Sequence, residues 1–217
     1  MVLCLARLAQ DRHSHGMNAA ETLWLSMAAY AVGTSITPGP NNTMLLTSGV
    51  NVGFRATLPL VLGINLGGLV LWLAVGLGLG QLFLGWPGLQ LILRWAGGAY
   101  VLYLAWRTWT AGTAQPRHGE AAARPLGPWA AAAFQWVNPK VWFMVLGYFG
   151  TFLPEQPEPA EVLMASVYFT VLNLPCISLW AFAGSRLQAY LGQPLRRRVF
   201  NGAMALLLIA SMLPMLG

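Results

Sequence analysis

The feature that most constrains this chain is a series of six apolar stretches, each long enough to cross a lipid bilayer. One transmembrane helix needs about 20 mainly apolar residues. Short polar connectors separate the stretches. The stretches cover, approximately, residues 22–50, 57–83, 88–110, 128–153, 161–184 and 197–216. This pattern predicts an all-α integral membrane protein with six transmembrane helices.

Composition excludes the other broad classes of protein. Hydrophobic residues make up 57% of the chain and charged residues only 8%, whereas about 25% of the residues of a soluble domain are charged. The net charge of +6 does not indicate nucleic-acid binding, because the basic residues lie singly or in short clusters between apolar stretches. Cys4 and Cys176 form no metal motif. No metal and no cofactor are predicted.

Residues 1–16 are expected to be a leader outside the membrane domain. They carry several charged and histidine residues and lack the apolar core of a signal peptide. The sequence from Met17 onward resembles the natural start of a membrane protein, so Met17 rather than Met1 is the predicted initiator. The membrane domain is then expected to occupy residues 17–217.

The arginines predict how the chain is oriented in the membrane. With six spans, the loops after the first, third and fifth stretches share one side. The arginines of that side are Arg55, Arg107, Arg117, Arg124, Arg186, Arg196, Arg197 and Arg198. The other side has the arginines of the leader and an acidic loop, 155–161. Positively charged loops stay in the cytoplasm, so both termini are expected outside a bacterial inner membrane.

Proline and asparagine interrupt two of the six stretches, about half a chain apart. Thr37-Pro38-Gly39-Pro40 interrupts the first stretch, because proline removes an amide donor and clashes with the preceding turn. Asn138-Pro139 interrupts the fourth. Three spans precede the second half, so it enters the membrane from the opposite side. We expect two inverted three-helix repeats, about 21–111 and 128–216, unless the matching prolines are a coincidence.

The interruptions also supply the candidate binding residues. Backbone groups freed by a broken helix must face protein or a water-filled cavity, and the start of the resumed half-helix suits a carboxylate. Lys140, the only lysine, lies about twelve residues into the fourth stretch, where a charge indicates function unless it extends to an interface. Its ammonium would add a second attraction for an anionic group. The candidate substrate-binding residues are Pro38, Gly39, Pro40, Asn41, Asn42, Gln135, Asn138, Pro139 and Lys140.

Other polar and small residues allow more than one interpretation. Asn65 and Asn173 either line a path or pair between helices. The spacings Gly63-x3-Gly67 and Gly76-x3-Gly80 let helices approach closely. That approach occurs within one protomer or between two, so the sequence is compatible with a homo-oligomer.

The sequence has no recognisable catalytic constellation. It contains no Asp or Glu between Glu21 and Glu120 or after Glu161, and every His lies in a polar flank. It also has no phosphate-binding loop of the kind that ATP hydrolysis requires. We therefore predict that the chain is not an enzyme and that its partners are the lipid bilayer and a small solute.

Several motifs together resemble the LysE/RhtB family of amino-acid exporters. They run in order from about residue 17 to the C-terminus. These motifs are Thr37-Pro38-Gly39-Pro40-Asn41-Asn42, Asn51-Val52-Gly53-Phe54-Arg55, Leu62-Gly63-Ile64, the segment 95–106 and Phe134-Gln135-Trp136-Val137-Asn138-Pro139-Lys140. The doubled asparagine and the 134–138 block are more similar to the cysteine/O-acetylserine exporter branch than to the homoserine/threonine branch.

The resemblance implies secondary export of small neutral amino acids or derivatives, such as cysteine, O-acetylserine, homoserine or threonine. The membrane potential or a proton gradient would drive it. Some family members place an acidic residue within a membrane segment, and this sequence has none, so no coupling carboxylate is predicted. A passive channel or facilitator and a membrane scaffold are the alternatives.

Overall fold

Every regular element among residues 18–111 and 126–211, the part of the chain that this computed structural model describes, is helical. The helices are α1 (Ala19–Ile36), α2 (Pro40–Val52), α3 (Phe54–Ala74), a π-helical stretch (Val75–Leu79), α4 (Gly80–Gly85), α5 (Pro87–Ala111), α6 (Pro128–Val137), α7 (Pro139–Phe152), α8 (Pro159–Leu187) and α9 (Pro194–Ala210). The all-α prediction is confirmed, and each predicted stretch overlaps one or more of these helices.

Some predictions concern residues outside the described ranges. These are the leader 1–16, the start at Met17, the arginines of the connector 112–125 and the end of the sixth stretch beyond residue 211.

Local chemistry explains where most helices begin. Helices α2, α5, α6, α7, α8 and α9 each begin at a proline, whose missing amide costs nothing in the first helical turn and whose fixed φ suits it. Acidic side chains cap α1 and also α8. The Glu21 carboxylate accepts from the Asn18 amide (3.3 Å), and the Glu161 carboxylate accepts from the Glu158 amide (2.8 Å). These carboxylates therefore stabilise helix ends.

Helices α3 and α8 cross the centre of the molecule in opposite directions. Phe54 at the start of α3 packs on Phe182 near the end of α8, with ring centroids 5.9 Å apart. Trp72 near the end of α3 stacks on Phe169, earlier in α8, at 3.8 Å. This antiparallel pair joins the two halves of the chain.

The half-helices next to the breaks pack on this central pair. Helix α2 runs parallel to α8, since Gly49 lies beside Ser185 and Gly53 beside Gln188. Helix α6 runs parallel to α3, as the paired contacts Gly63–Pro128 and Gly67–Ala132 show. Because α3 and α8 are antiparallel, α2 and α6 also run in opposite directions. The Gly63-x3-Gly67 spacing thus serves close helix packing, as predicted.

The second stretch is not one continuous helix, contrary to the prediction for residues 57–83. A π-helical stretch, Val75–Leu79, interrupts it, and Gly78 has φ +128°, a conformation that side chains other than glycine rarely tolerate. Apolar periodicity does not reveal such a kink, because leucine and glycine alternate there without a polar residue. The outer end of the stretch, α4, is therefore set at its own angle.

Large apolar side chains lie on the outside of the molecule, and several polar side chains are buried inside it. Leu62, Leu66 and Val70 follow one face of α3 and are each at least half exposed, while Asn138 and Gln135 are almost completely buried. Water disfavours such an apolar surface, and lipid does not. Among the described residues, two helical stretches are long and apolar enough to cross a membrane, Phe54–Gly85 with mean hydropathy 2.2 and Pro159–Leu187 with 1.8. The breaks divide the first and fourth stretches into shorter pieces.

Candidate functional site

The first break separates α1 from α2 by three residues. Helix α1 ends at Ile36, Thr37 is extended, and α2 resumes at Pro40. The last carbonyls of α1 then need partners from outside the helix. Asn42, only 3% exposed, donates from Nδ2 to the carbonyl oxygens of Ser35 (2.7 Å) and Thr37 (2.8 Å). This side chain ties the start of α2 to the end of α1.

Lys140 supplies further donors at the end of α1. Its Nζ donates to Thr37 O (2.8 Å), Thr37 Oγ1 (2.9 Å) and Pro38 O (3.3 Å). We call these three oxygens the carbonyl collar. A cation at a helix C-terminus is favoured by the helix dipole. The sequence led us to expect the lysine to attract a carboxylate, and in this structure its ammonium is held by the collar instead.

The second break is only one residue wide. Helix α6 ends at Val137 and α7 begins at Pro139, with Asn138 between them. Asn138 caps α7 itself, since its Oδ1 accepts from the Lys140 amide at 3.2 Å. The broken fourth stretch is therefore stabilised locally.

A cluster of amides joins the two breaks. Asn41 Nδ2 donates to Gln135 Oε1 (2.8 Å), and Gln135 Nε2 donates back to Asn41 Oδ1 (3.3 Å). Asn138 Nδ2 also donates to Asn41 Oδ1 (3.3 Å). Gln135 is anchored through Ala131 O at 2.8 Å. Residues almost 100 positions apart in the sequence thus form one hydrogen-bonded site.

The site borders a small cavity of about 50 Å³, the central cavity. This volume admits a few water molecules. Its polar lining comprises Thr34, Ser35, Asn41, Asn42, Asn65, Gln135, Lys140, Thr170 and Asn173. Its apolar lining includes Ile64, Leu69, Trp72, Val141, Met144, Phe169 and Ile177.

A second cavity of about 410 Å³, the side cavity, lies against the same two breaks. It is lined by residues of α1, α2, α5 and α7 and of both breaks, and by Ser211 after α9. Of the nine candidate residues, Asn41, Asn42 and Gln135 line only the central cavity. Pro38, Pro40, Asn138 and Pro139 line only the side cavity, and Gly39 and Lys140 line both.

Several lining residues were not singled out as site residues from the sequence, among them Ser35, Trp72 and Phe169. Trp72 and Phe169 stack to form one wall of the central cavity. Ser35 is buried, and its Oγ has no hydrogen-bond partner within the described ranges. Its position, three residues before Pro38, is the only sequence signal that points to it.

Asn65 and Asn173 pair between helices, which is one of the two interpretations of these residues. Asn173 Nδ2 donates to Asn65 Oδ1 at 2.7 Å, so the amides pair between α8 and α3. Both residues also line the central cavity.

Comparisons with known proteins agree with the resemblance read from the sequence. The chain is 33% identical to a cysteine/O-acetylserine efflux protein of Escherichia coli strain K12 over 190 residues, which is 87% of this chain and 94% of the relative. A protein of the same name from Escherichia coli O139:H28 gives the same figures. One from Shigella flexneri serotype 5b is 33% identical over 83% of this chain and 90% of its own length. No solved structure matches the chain.

The family model described as LysE type translocator matches residues 32–212. That range includes both breaks and every candidate site residue. The predicted family resemblance is confirmed, and the apolar helices fit a membrane protein. The chain belongs to the LysE type translocator family, which is a family of transporters rather than of enzymes.

Proposed function

We propose that this protein exports a small neutral amino acid or derivative, of the cysteine or O-acetylserine kind, across the bacterial inner membrane. The observation that carries the proposal is the central cavity at the junction of the two breaks. Its polar lining suits a zwitterion, and its small volume favours a small side chain. The names of the relatives point to the same substrate class.

The broken first stretch supplies opposite partial charges side by side. The last carbonyls of α1 attract an ammonium, and the first amides of α2 attract a carboxylate. The hydrogen-bond series of α2 begins with the Thr43 amide, which donates to Gly39 O at 2.9 Å. The amides of Asn41 and Asn42 come before this first bond of the helix. An amino acid placed across this break would have each charged group near a matching helix end.

The proposed membrane arrangement consists of six spans in two inverted repeats with the arginine-rich loops in the cytoplasm. The opposite directions of α2 and α6 support the inversion. The contact of Gly53 with Gln188 supports the orientation, because it brings the ends that carry Arg55 and Arg186 together. The N-terminal end of α1 would then face outward.

A passive facilitator is the alternative that one observation favours. The acidic residues in the described ranges are Glu21, Glu155, Glu158 and Glu161, which lie at helix ends or in a connector. A buried carboxylate for proton coupling is therefore missing from these ranges. Efflux of a neutral amino acid down its own concentration gradient needs none.

Reconstituted proteoliposomes loaded with a panel of amino acids test the proposal. We expect saturable efflux of L-cysteine or O-acetylserine that Asn41→Ala lowers at least tenfold, because this side chain joins the two breaks. Thr43→Val is the matched control, since this neighbouring residue lines neither cavity. Non-saturable flux would instead indicate a channel, and no flux of any amino acid would favour a scaffold.

A further inference from the structure

The Lys140 ammonium has the chemical surroundings that the ammonium group of an amino acid would need. A primary ammonium has three N–H donors and no acceptor, and the collar offers three oxygens at 2.8, 2.9 and 3.3 Å. No carboxylate contributes to the collar. These neutral oxygens at the end of α1 bind any primary ammonium that reaches them, whether it belongs to the protein or to a solute.

The lysine side chain also lies in the wall between the two cavities. Thr34, Gly39, Lys140 and Met144 line both the central and the side cavity. A methyl group on Gly39 would lie 2.8 Å from Lys140 Cδ and 3.0 Å from its Nζ, so the side chain crosses directly over this glycine. Lys140 therefore closes the space that the missing side chain of Gly39 leaves between the cavities.

We infer that the Lys140 ammonium occupies the collar until the ammonium group of the substrate replaces it, and that the Lys140 side chain separates the two cavities until then. We call this role of Lys140 the latch. The ammonium of an entering amino acid takes the collar, the lysine side chain moves off Gly39, and the central and side cavities become continuous. This inference rests on the proposed export function. It adds that the ammonium group of the substrate is what connects the two cavities. It makes a primary ammonium a requirement for passage.

Competition for the collar has a measurable consequence. If a site is free for only a fraction of the time, its apparent dissociation constant equals the intrinsic constant divided by that fraction. If Lys140 occupies the collar for about nine-tenths of the time, its removal strengthens the apparent affinity about tenfold. A lysine that contacts the substrate carboxylate would have the opposite effect, because its removal would weaken binding.

The test compares Lys140→Met with wild type in proteoliposomes, using L-cysteine and 3-mercaptopropionate, the same molecule without its ammonium. We expect Lys140→Met to lower the KM for L-cysteine about tenfold, which equals about 1.4 kcal/mol. We also expect it to pass 3-mercaptopropionate at least about tenfold faster than wild type. Arg94→Met, which removes a cation from α5 outside both cavities, is expected to keep the wild-type KM and selectivity.

The outcomes separate the latch from the export function. An unchanged or raised KM in Lys140→Met, or wild-type passage of 3-mercaptopropionate, overturns the latch while leaving export intact. A wild-type protein that moves no amino acid overturns both. If Lys140→Met does not fold, Gly39→Ala decides, because it keeps the lysine and displaces its ammonium from the collar. It is expected to lower the KM for L-cysteine in the same way.

Discussion

The two breaks interrupt the first and fourth stretches in similar places, yet they are stabilised in different ways. The first break is three residues wide, and its carbonyls are bonded by two side chains, Asn42 and Lys140, that lie beyond it. The second break is one residue wide, and Asn138 at the break itself caps the helix that follows. The first break is therefore stabilised by tertiary contacts, and the second mainly by a residue of the break itself.

This difference indicates which break can change shape. Moving Asn42 removes the donor to Ser35 O, and moving Lys140 removes the donor to Pro38 O. Moving α1 leaves the cap of α7 intact. In a bilayer the freed carbonyls have no lipid partner, so only water or a bound solute replaces the lost donors. The first break is the one suited to respond to a substrate, and the second serves as its support.

The largest expected effect is that of Asn42→Leu. The substitution leaves the carbonyl of Ser35 without its donor and removes one of the donors to Thr37 O. Leaving a buried polar group unpaired costs about 1–3 kcal/mol, so we expect a loss of about 3 kcal/mol in the free energy of unfolding, measured in mixed micelles. Transport in proteoliposomes should fall at least tenfold.

Thr43→Val is the control for Asn42→Leu. Thr43 is the next residue of α2 and is equally buried, and its Oγ1 has no hydrogen-bond partner in the part of the chain that the structure describes. Removing this hydroxyl should change stability by less than about 0.5 kcal/mol. Equal losses in the two variants would show that burial, not the Asn42 bonds, is responsible.

A double-mutant cycle on Asn41 and Gln135 measures how strongly the two breaks are joined. The two side chains exchange hydrogen bonds of 2.8 and 3.3 Å. Interacting buried pairs show coupling of about 0.5–3 kcal/mol, and we expect about 1–2 kcal/mol from unfolding of Asn41→Ala, Gln135→Ala and the double variant. Simple additivity of the single effects would mean that the breaks are energetically independent.

The second break should tolerate substitution better than the first. Asn138→Ala removes the cap of α7, and losing such a cap costs about 1 kcal/mol. Asn138→Ser keeps an oxygen that can accept from the Lys140 amide, so unfolding in micelles should show part of the loss restored. The comparison of the two breaks fails if Asn138→Ala costs as much as Asn42→Leu.

A small effect on stability, no larger than that of Asn138→Ala, is expected for Gly39→Ala. Gly39 has φ 176°, an extended conformation that alanine adopts without strain, and the added methyl meets only the flexible end of Lys140. Rearranging that side chain costs about 1 kcal/mol. Micelle unfolding should therefore change little, although the KM changes. A loss of several kcal/mol in the free energy of unfolding would mean that the added methyl group meets rigid structure and not a movable side chain.

The positions of the breaks were predictable from the sequence because they depend on local chemistry. Pro38, Pro40 and Pro139 lie beside or at the ends of helices, and a proline disfavours an interior helical turn because it lacks the amide that the turn needs. The kink at Gly78 was not predictable in this way. The surrounding residues suit a continuous apolar helix equally well, and only packing against neighbouring helices selects the interrupted form.

The sequence by itself determined the all-helical class, the family, the two breaks and the residues nearest to them. Each of these follows from residue type and spacing along the chain. Only the tertiary structure decided that Asn41 and Gln135 bond to each other and that the Lys140 ammonium lies on the end of α1. Those contacts join residues about 100 positions apart, and they exist only because α3 and α8 pack antiparallel and bring the two breaks together.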